Sequence, residues 1–307
     1  MQHYNQILFT KEFGIKFGAP EDDVIEEYSK ENYTLDLHPK NSIFYELMYD
    51  NVDKFSKLVS RENVNKKVDS PFYPNRYNLL ELCCFHGSPK CFKYLRTKFN
   101  MEITDNCIYY SFLSGSTYIA NECMKVFTPN ATCMRYAILA HNVELTTFLN
   151  KNYHVPYDPY SSAEFNDYVT LCLYIEETND YNIPFIHSFE FGNPKLIDFL
   201  FSKVTNINAK DVIGVTALHT CADCNNKEML KLIISKGANL NARDRYKETP
   251  LTMAVRNSYY EIIEILVKNG ADINIKDCYT NLPVLRDVVR TGNSTNKDTC
   301  LLHVAVM

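Results

Sequence analysis

Three aspartates, Asp211, Asp244 and Asp277, stand 33 residues apart in succession, and their surroundings recur with them. After Asp211 come Gly214, Thr216-Ala217-Leu218-His219, Cys221-Ala222, Leu230, Leu232-Ile233 and Gly237-Ala238-Asn239-Leu240-Asn241. After Asp244 come Thr249-Pro250-Leu251, Ala254-Val255, Ile262-Ile263, Ile265-Leu266 and Gly270-Ala271-Asp272-Ile273-Asn274. A fixed period of this length constrains the fold more than any composition figure. One such unit cannot bury its apolar stripe alone, so neighbouring units must stack to complete each core.

Each position within the period has a physical reason. Thr216 and Thr249 sit where an N-cap hydroxyl can serve the orphan amides of a first turn. Pro250 occupies the first helical position, where its missing N–H costs nothing. Cys221-Ala222 and Ala254 are small enough to let a first helix approach its neighbours. Leu230, Leu232 and Ile233, matched by Ile263, Ile265 and Leu266, form the expected stripe of a second helix. Gly237 and Gly270 end that helix with a residue at positive φ. His219 is expected to hydrogen-bond a neighbouring turn.

Weaker copies extend upstream. Asn78-Leu79-Leu80-Glu81-Leu82-Cys83-Cys84-Phe85-His86-Gly87, then Cys91-Phe92 and Tyr94-Leu95, keep the leucine, the small pair, the glycine between helices and the second stripe. Gly115 is the same landmark 28 residues on, and Asn142 stands 27 beyond it. Pro184-Phe185, Gly192, Leu196-Ile197 and Phe199-Leu200 form the next copy, after a gap that reads as an insertion near 150–181. The shorter periods leave no room for a projecting turn and predict bare helix pairs.

These residues resemble the ankyrin repeat, with its Thr-Pro-Leu-His-like helix start and Gly-Ala-Asp-x-Asn end. The stretch from Phe44 to Leu200 is similar to the uncharacterised helical domain that precedes ankyrin arrays in protist, trichomonad-type protein families. The resemblance implies an all-α fold: an elongated α-solenoid of stacked helix pairs, with short β-hairpin-like turns in the C-terminal third. The expected organisation is a partly helical lead-in over 1–43, degenerate repeats over 44–203 and ankyrin repeats over 204–307. The last repeat is incomplete, because no second helix follows Leu282-Pro283-Val284-Leu285.

Composition closes off several functions. With 32 Lys+Arg against 37 Asp+Glu the net charge is -5, which argues against a general nucleic-acid binder. Hydrophobic residues at 46% are enough for a core. Asn occurs 31 times, which reads as compositional bias rather than a functional mark. No run approaches the ~18–20 apolar residues of a membrane helix. The start has no basic region and no long apolar run, so no signal peptide is expected. Eleven cysteines, irregularly spaced, are no disulfide framework, and a cytoplasmic location is expected, the nucleus being open as well.

The chain carries no complete catalytic or metal motif. Cys221-Ala222-Asp223-Cys224 with His219 lacks the second ligand pair of a structural zinc site. His86 lies five residues before Cys91, a common accident among eight His and eleven Cys. No phosphate-binding loop, nucleophile elbow or His-Glu-x-x-His is present. Arg243, Arg245 and Lys247 make a small basic cluster that Asp244 and Glu248 interrupt.

The expected function is therefore non-enzymatic: a scaffold binding a protein partner, with no cofactor, no metal, no nucleic acid and no membrane. The resemblance assigns contact roles to the turns and to the exposed face of the first helix. Carried over, these are Val212, Ile213, Val215, Asp223 and Cys224, then Arg245, Tyr246, Glu248, Arg256 and Asn257, then Cys278, Tyr279 and Asn281. A monomer is expected, with self-association through the uncapped C-terminal end as a variant. Two rivals are a family member without a ligand and an enzyme whose site lies in the N-terminal half.

Overall fold

The computed structural model of the chain describes residues 38–65, 67 and 77–274, and the chain divides between Tyr174 and Ile175 into two units. Among the described residues the regular structure is helical, with no β-strand. The first unit holds α1 (Ile43–Met48), α2 (Val52–Leu58), α3 (Leu79–His86), α4 (Pro89–Phe99), α5 (Asp105–Ser114), α6 (Thr117–Met124), α7 (Ala131–Leu139), α8 (Val143–Tyr153) and α9 (Pro159–Glu164). The division falls inside α10 (Tyr168–Thr178). The second unit holds α11 (Asn182–His187), α12 (Pro194–Lys203), α13 (Ala217–Asp223), α14 (Lys227–Ser235), α15 (Pro250–Arg256) and α16 (Tyr260–Lys268).

Each helix pair turns on one residue at positive φ. In chain order these are Asp50, Gly87, Gly115, His141, Asn166, Gly192, Asn225 and Ser258. A side chain with a Cβ costs about 1–2 kcal/mol in that conformation, and Asn and Asp tolerate it best. The series revises the sequence reading twice. Asn142 is the N-cap of α8, its side chain accepting from Leu145 N at 3.0 Å, and the turning residue is His141. The stretch near 150–181, read as an insertion, contains α9 and α10 as a further pair around Asn166. Two of these eight turning residues, Asn166 and Asn225, are among the asparagines read as compositional bias.

Neighbouring pairs cap one another. The Asp50 carboxylate accepts from Lys90 N at 3.0 Å and Cys91 N at 2.9 Å, serving the start of α4. Ser88 Oγ donates to Leu47 O at 2.7 Å. Buried Glu81 closes a capping box with Asn78 and also accepts from Thr104 Oγ1 at 2.8 Å, which ties α3 to the start of α5. Such contacts satisfy orphan amides with groups from the adjacent pair. Behind them Leu80, Phe92, Leu95, Phe112, Ile119, Met134 and Ile138 form the first core.

In the second unit the small residues do what their size predicts: Cys221, Ala222 and Ala254 are wholly buried. The stripe of α14 is Met229, Leu230 and Ile233, whereas Leu232 is 47% exposed. At 100° per residue, 229, 230 and 233 share a face and 232 points away from it. Gly237 and Gly270 have φ of 83° and 95°, as expected at helix exits. Between repeats runs an asparagine ladder at the same 33-residue period. Asn208 Oδ1 accepts from Asn239 N at 2.7 Å, and Asn241 Oδ1 accepts from Asp272 N at 2.8 Å. The lead-in before His38 and everything after Asn274, including Leu282 and the C-terminal end, lie outside the described residues.

Candidate functional site

The turns before α13 and α15 are built alike. Asp211 Oδ1 accepts from Ile213 N at 2.9 Å and Val215 N at 2.8 Å, while Asp211 N donates to Val215 O at 3.0 Å. Asp244 Oδ1 accepts from Glu248 N at 2.8 Å, and Asp244 N donates to Glu248 O at 3.1 Å. The recurring aspartate therefore folds its own turn. Backbone bonds close each turn without forming a strand. Arg245 N donates to Ile213 O at 2.7 Å, joining one turn to the next. Gly214, at φ 84°, lies so close that a Cβ there would stand 3.1 Å from Asp244 Cα.

His219 locks this assembly from within. It is fully buried, Thr216 N donates to its Nδ1 at 3.2 Å, and its Nε2 lies 3.2 Å from Glu248 O. With Nδ1 accepting, Nε2 must carry the proton and donate to the carbonyl. Burial pushes the imidazole pKa below its usual value, against the opposing pull of the Glu248 carbonyl and the Asp244 charge. The neutral tautomer is the one the geometry needs. Asp211 has a second partner, His187, whose Nε2 is 3.5 Å from Asp211 Oδ2.

The residues assigned to partner contact divide into three groups. Val212 is 100% exposed, Tyr246 is 56% exposed and Arg245 is exposed beside it. Ile213 is half-buried, and Val215 and Glu248 are buried, so these three support the turns rather than face outward. Val215 joins the core of the unit. The third group is a network at the ends of α13 and α15. The Arg256 guanidinium pairs with Glu248 and reaches Asp223 at 3.5 Å, and Asn257 Nδ2 donates to Asp223 Oδ1 at 2.8 Å. Cys224 reaches solvent, yet partial burial of its sulfur, with Asp223 and Glu190, pushes its pKa up to about 11. A shift in that direction keeps the sulfur protonated at neutral pH. Cys278, Tyr279 and Asn281 lie outside the described residues.

Sequence reasoning passed over the exposed Lys210 and discounted Arg243 and Lys247. The signal it weighed, acids interleaved with bases, is misleading here because Asp244 and Glu248 turn inward.

Burial dominates the titration of the other groups named from the sequence. Burial pushes the Cys221 thiol well up, and His219 beside it in sequence is occupied by the turn. Among the described residues no group of three or more His, Cys, Asp or Glu side chains could hold a metal ion. In the first unit burial, with His38 adding, lowers His86 to about 3. Cys91 is pushed far up by burial and by the Asp50 carboxylate. Burial, with Cys107 and Cys123 adding, pushes the Cys84 thiol well up, and Cys84 is the main influence lowering Cys107.

Residues 185–277 match the family described as ankyrin repeats (three copies), and residues 99–174 match a domain of unknown function, DUF3447. The chain thus holds ankyrin repeats with that domain before them, as the resemblance implied. No curated protein matches the chain. Among the described residues no helix is long and apolar enough to cross a membrane.

Proposed function

We propose that this protein is a non-enzymatic scaffold whose ankyrin turns bind a protein partner. Ankyrin repeats support protein–protein interaction in general. The observation that carries the finer reading is the pair of turn tips. Val212 is wholly exposed and Tyr246 more than half exposed, on backbone cross-bonded between turns and anchored to a buried histidine. Large apolar side chains held out on rigid backbone lose little entropy on binding, which is how a few residues come to dominate an interface.

On this reading Val212, Arg245 and Tyr246 make the central contacts, with Asp223, Cys224 and Asn257 at the flank. Arg256 serves by holding Glu248 and Asp223 in place. The protein acts as a monomer in a reducing compartment, the cytoplasm first, in keeping with eleven irregularly spaced cysteines.

The test is cross-linking and capture by the full chain, with Val212→Ser/Tyr246→Ala beside it. Loss of two hot-spot contacts should lower affinity for the captured partner at least ~30-fold, with unchanged helicity. Equal recovery of the same partners by both proteins would refute the reading.

A further inference from the structure

Along the sequence the two turns look nearly neutral, with Lys210, Arg243, Arg245 and Lys247 set against Asp211, Asp244 and Glu248. In space the two signs separate. Asp244 and Glu248 are 8% and 5% exposed, and the Asp211 side chain is 5% exposed. Each carboxylate is already used: Asp211 by two turn amides and His187, Asp244 by an amide, Glu248 by Arg256. All four bases are exposed. Lys210 is steadied by donating its Nζ to Arg243 O at 2.9 Å.

Lys247 adds a second observation. It has φ 65° at the position that Gly214 fills, at φ 84°, in the preceding turn. A lysine there holds a cation on the edge at the cost of a left-handed backbone. Among the described residues of the following loop, the exposed acid Asp272 has its carboxylate accepting from Asn274 N at 2.9 Å.

We infer that this edge binds an acidic protein segment in which carboxylates alternate with apolar side chains. The inference rests on the reading that the turns bind a protein, and it names the partner's chemistry. Carboxylates meet the exposed cations, and the apolar residues meet Val212 and Tyr246. A nucleic acid fits less well. Phosphate-driven binding draws on about 6–10 contacts, more than this edge offers, and the chain's net charge of -5 opposes a long polyanion. Complementary charge of this kind sets partner choice and association rate.

The experiment is peptide-display selection on the immobilised full chain, repeated on Arg243→Gln/Arg245→Gln/Lys247→Gln and on Tyr246→Ala. Enriched peptides should be rich in Asp and Glu, and their affinity should fall about tenfold on the triple variant, as expected for three exposed ion pairs. A second triple variant, with Glu at the same three positions, should switch enrichment to Lys and Arg. That switch shows the surface is still folded. Neutral or basic peptides enriched on the wild type, but lost on Tyr246→Ala, would overturn the acidic partner and leave the turns as a protein site. Enrichment indifferent to every variant would overturn both. A single-stranded oligonucleotide bound more tightly than the selected peptides, by anisotropy, would also overturn the inference.

Discussion

His219 makes the stacking of the repeats measurable, because one buried imidazole joins α13 to the turn before α15. Replacing it with Ala removes a bond to the Glu248 carbonyl and leaves the Thr216 amide without its acceptor, both in a fully buried place. The Glu248 carbonyl keeps the Asp244 amide as a donor, so one stranded buried amide at about 1–3 kcal/mol plus a ring-sized void gives a loss of about 2–5 kcal/mol. The same site also predicts a pH dependence. Burial lowers the folded pKa below the ordinary histidine value of 6.5. The unfolded chain therefore binds a proton that the folded chain refuses, and stability falls as pH drops below 6.5 toward the folded value. For one proton the slope approaches about 1.4 kcal/mol per pH unit.

His86 and His38 are lowered as well, so total stability alone will not isolate this residue. The comparison with His219→Gln does, since glutamine keeps a donor and an acceptor but does not titrate. Urea unfolding of both proteins between pH 7.5 and pH 5 is the assay. The stability difference should be constant above the histidine range and should shift steadily in favour of the glutamine variant below it. A difference that stays flat across the range would show that His219 is not held neutral, and the assigned tautomer would be wrong.

Other substitutions separate supporting residues from exposed ones. Arg256→Ala should cost about 1–3 kcal/mol because it strands the buried Glu248 carboxylate, and Glu248→Gln in the same chain should recover part of that; Arg243→Ala should cost under ~0.5 kcal/mol by the same denaturation. Ile233→Ala should cost about 2–5 kcal/mol, whereas half-exposed Leu232→Ala should cost under ~1 kcal/mol, and equal losses would mean the α14 register is wrong. Gly214→Ala should be the costlier of two glycine changes. Its Cβ would press on Asp244 backbone, while Gly237→Ala meets nothing within 4 Å and bears only the left-handed penalty of about 1–2 kcal/mol.

What could be read from the chain, and what could not, follows from where the information is stored. Thr249-Pro250-Leu251 and the glycines at 237 and 270 encode their conformations locally, so the 33-residue repeats were legible. So was the partner of His219, which a buried polar group in a stack must find on an adjacent turn. The shorter pairs were half legible, because glycine marks only some of their turns. Asp50, His141, Asn166 and Asn225 take the same left-handed position with side chains that do not announce it, and the pair around Asn166 was missed. Leu232 was misplaced by counting apolar residues instead of following the angle between them.

The sign of the turn edge was the least legible feature. Whether Asp244 and Glu248 face solvent depends on two partners that no composition count contains: the amides of their own turn and an arginine eight residues further on. Once a turn's amides and the following helix capture the acids, bases that alternate with them in sequence are left alone on the surface. Interleaved charges are therefore poor grounds for calling a projecting turn neutral. With Asp244 and Glu248 held inward, Arg243, Arg245 and Lys247 stand as an exposed cationic edge around Tyr246 and beside Val212.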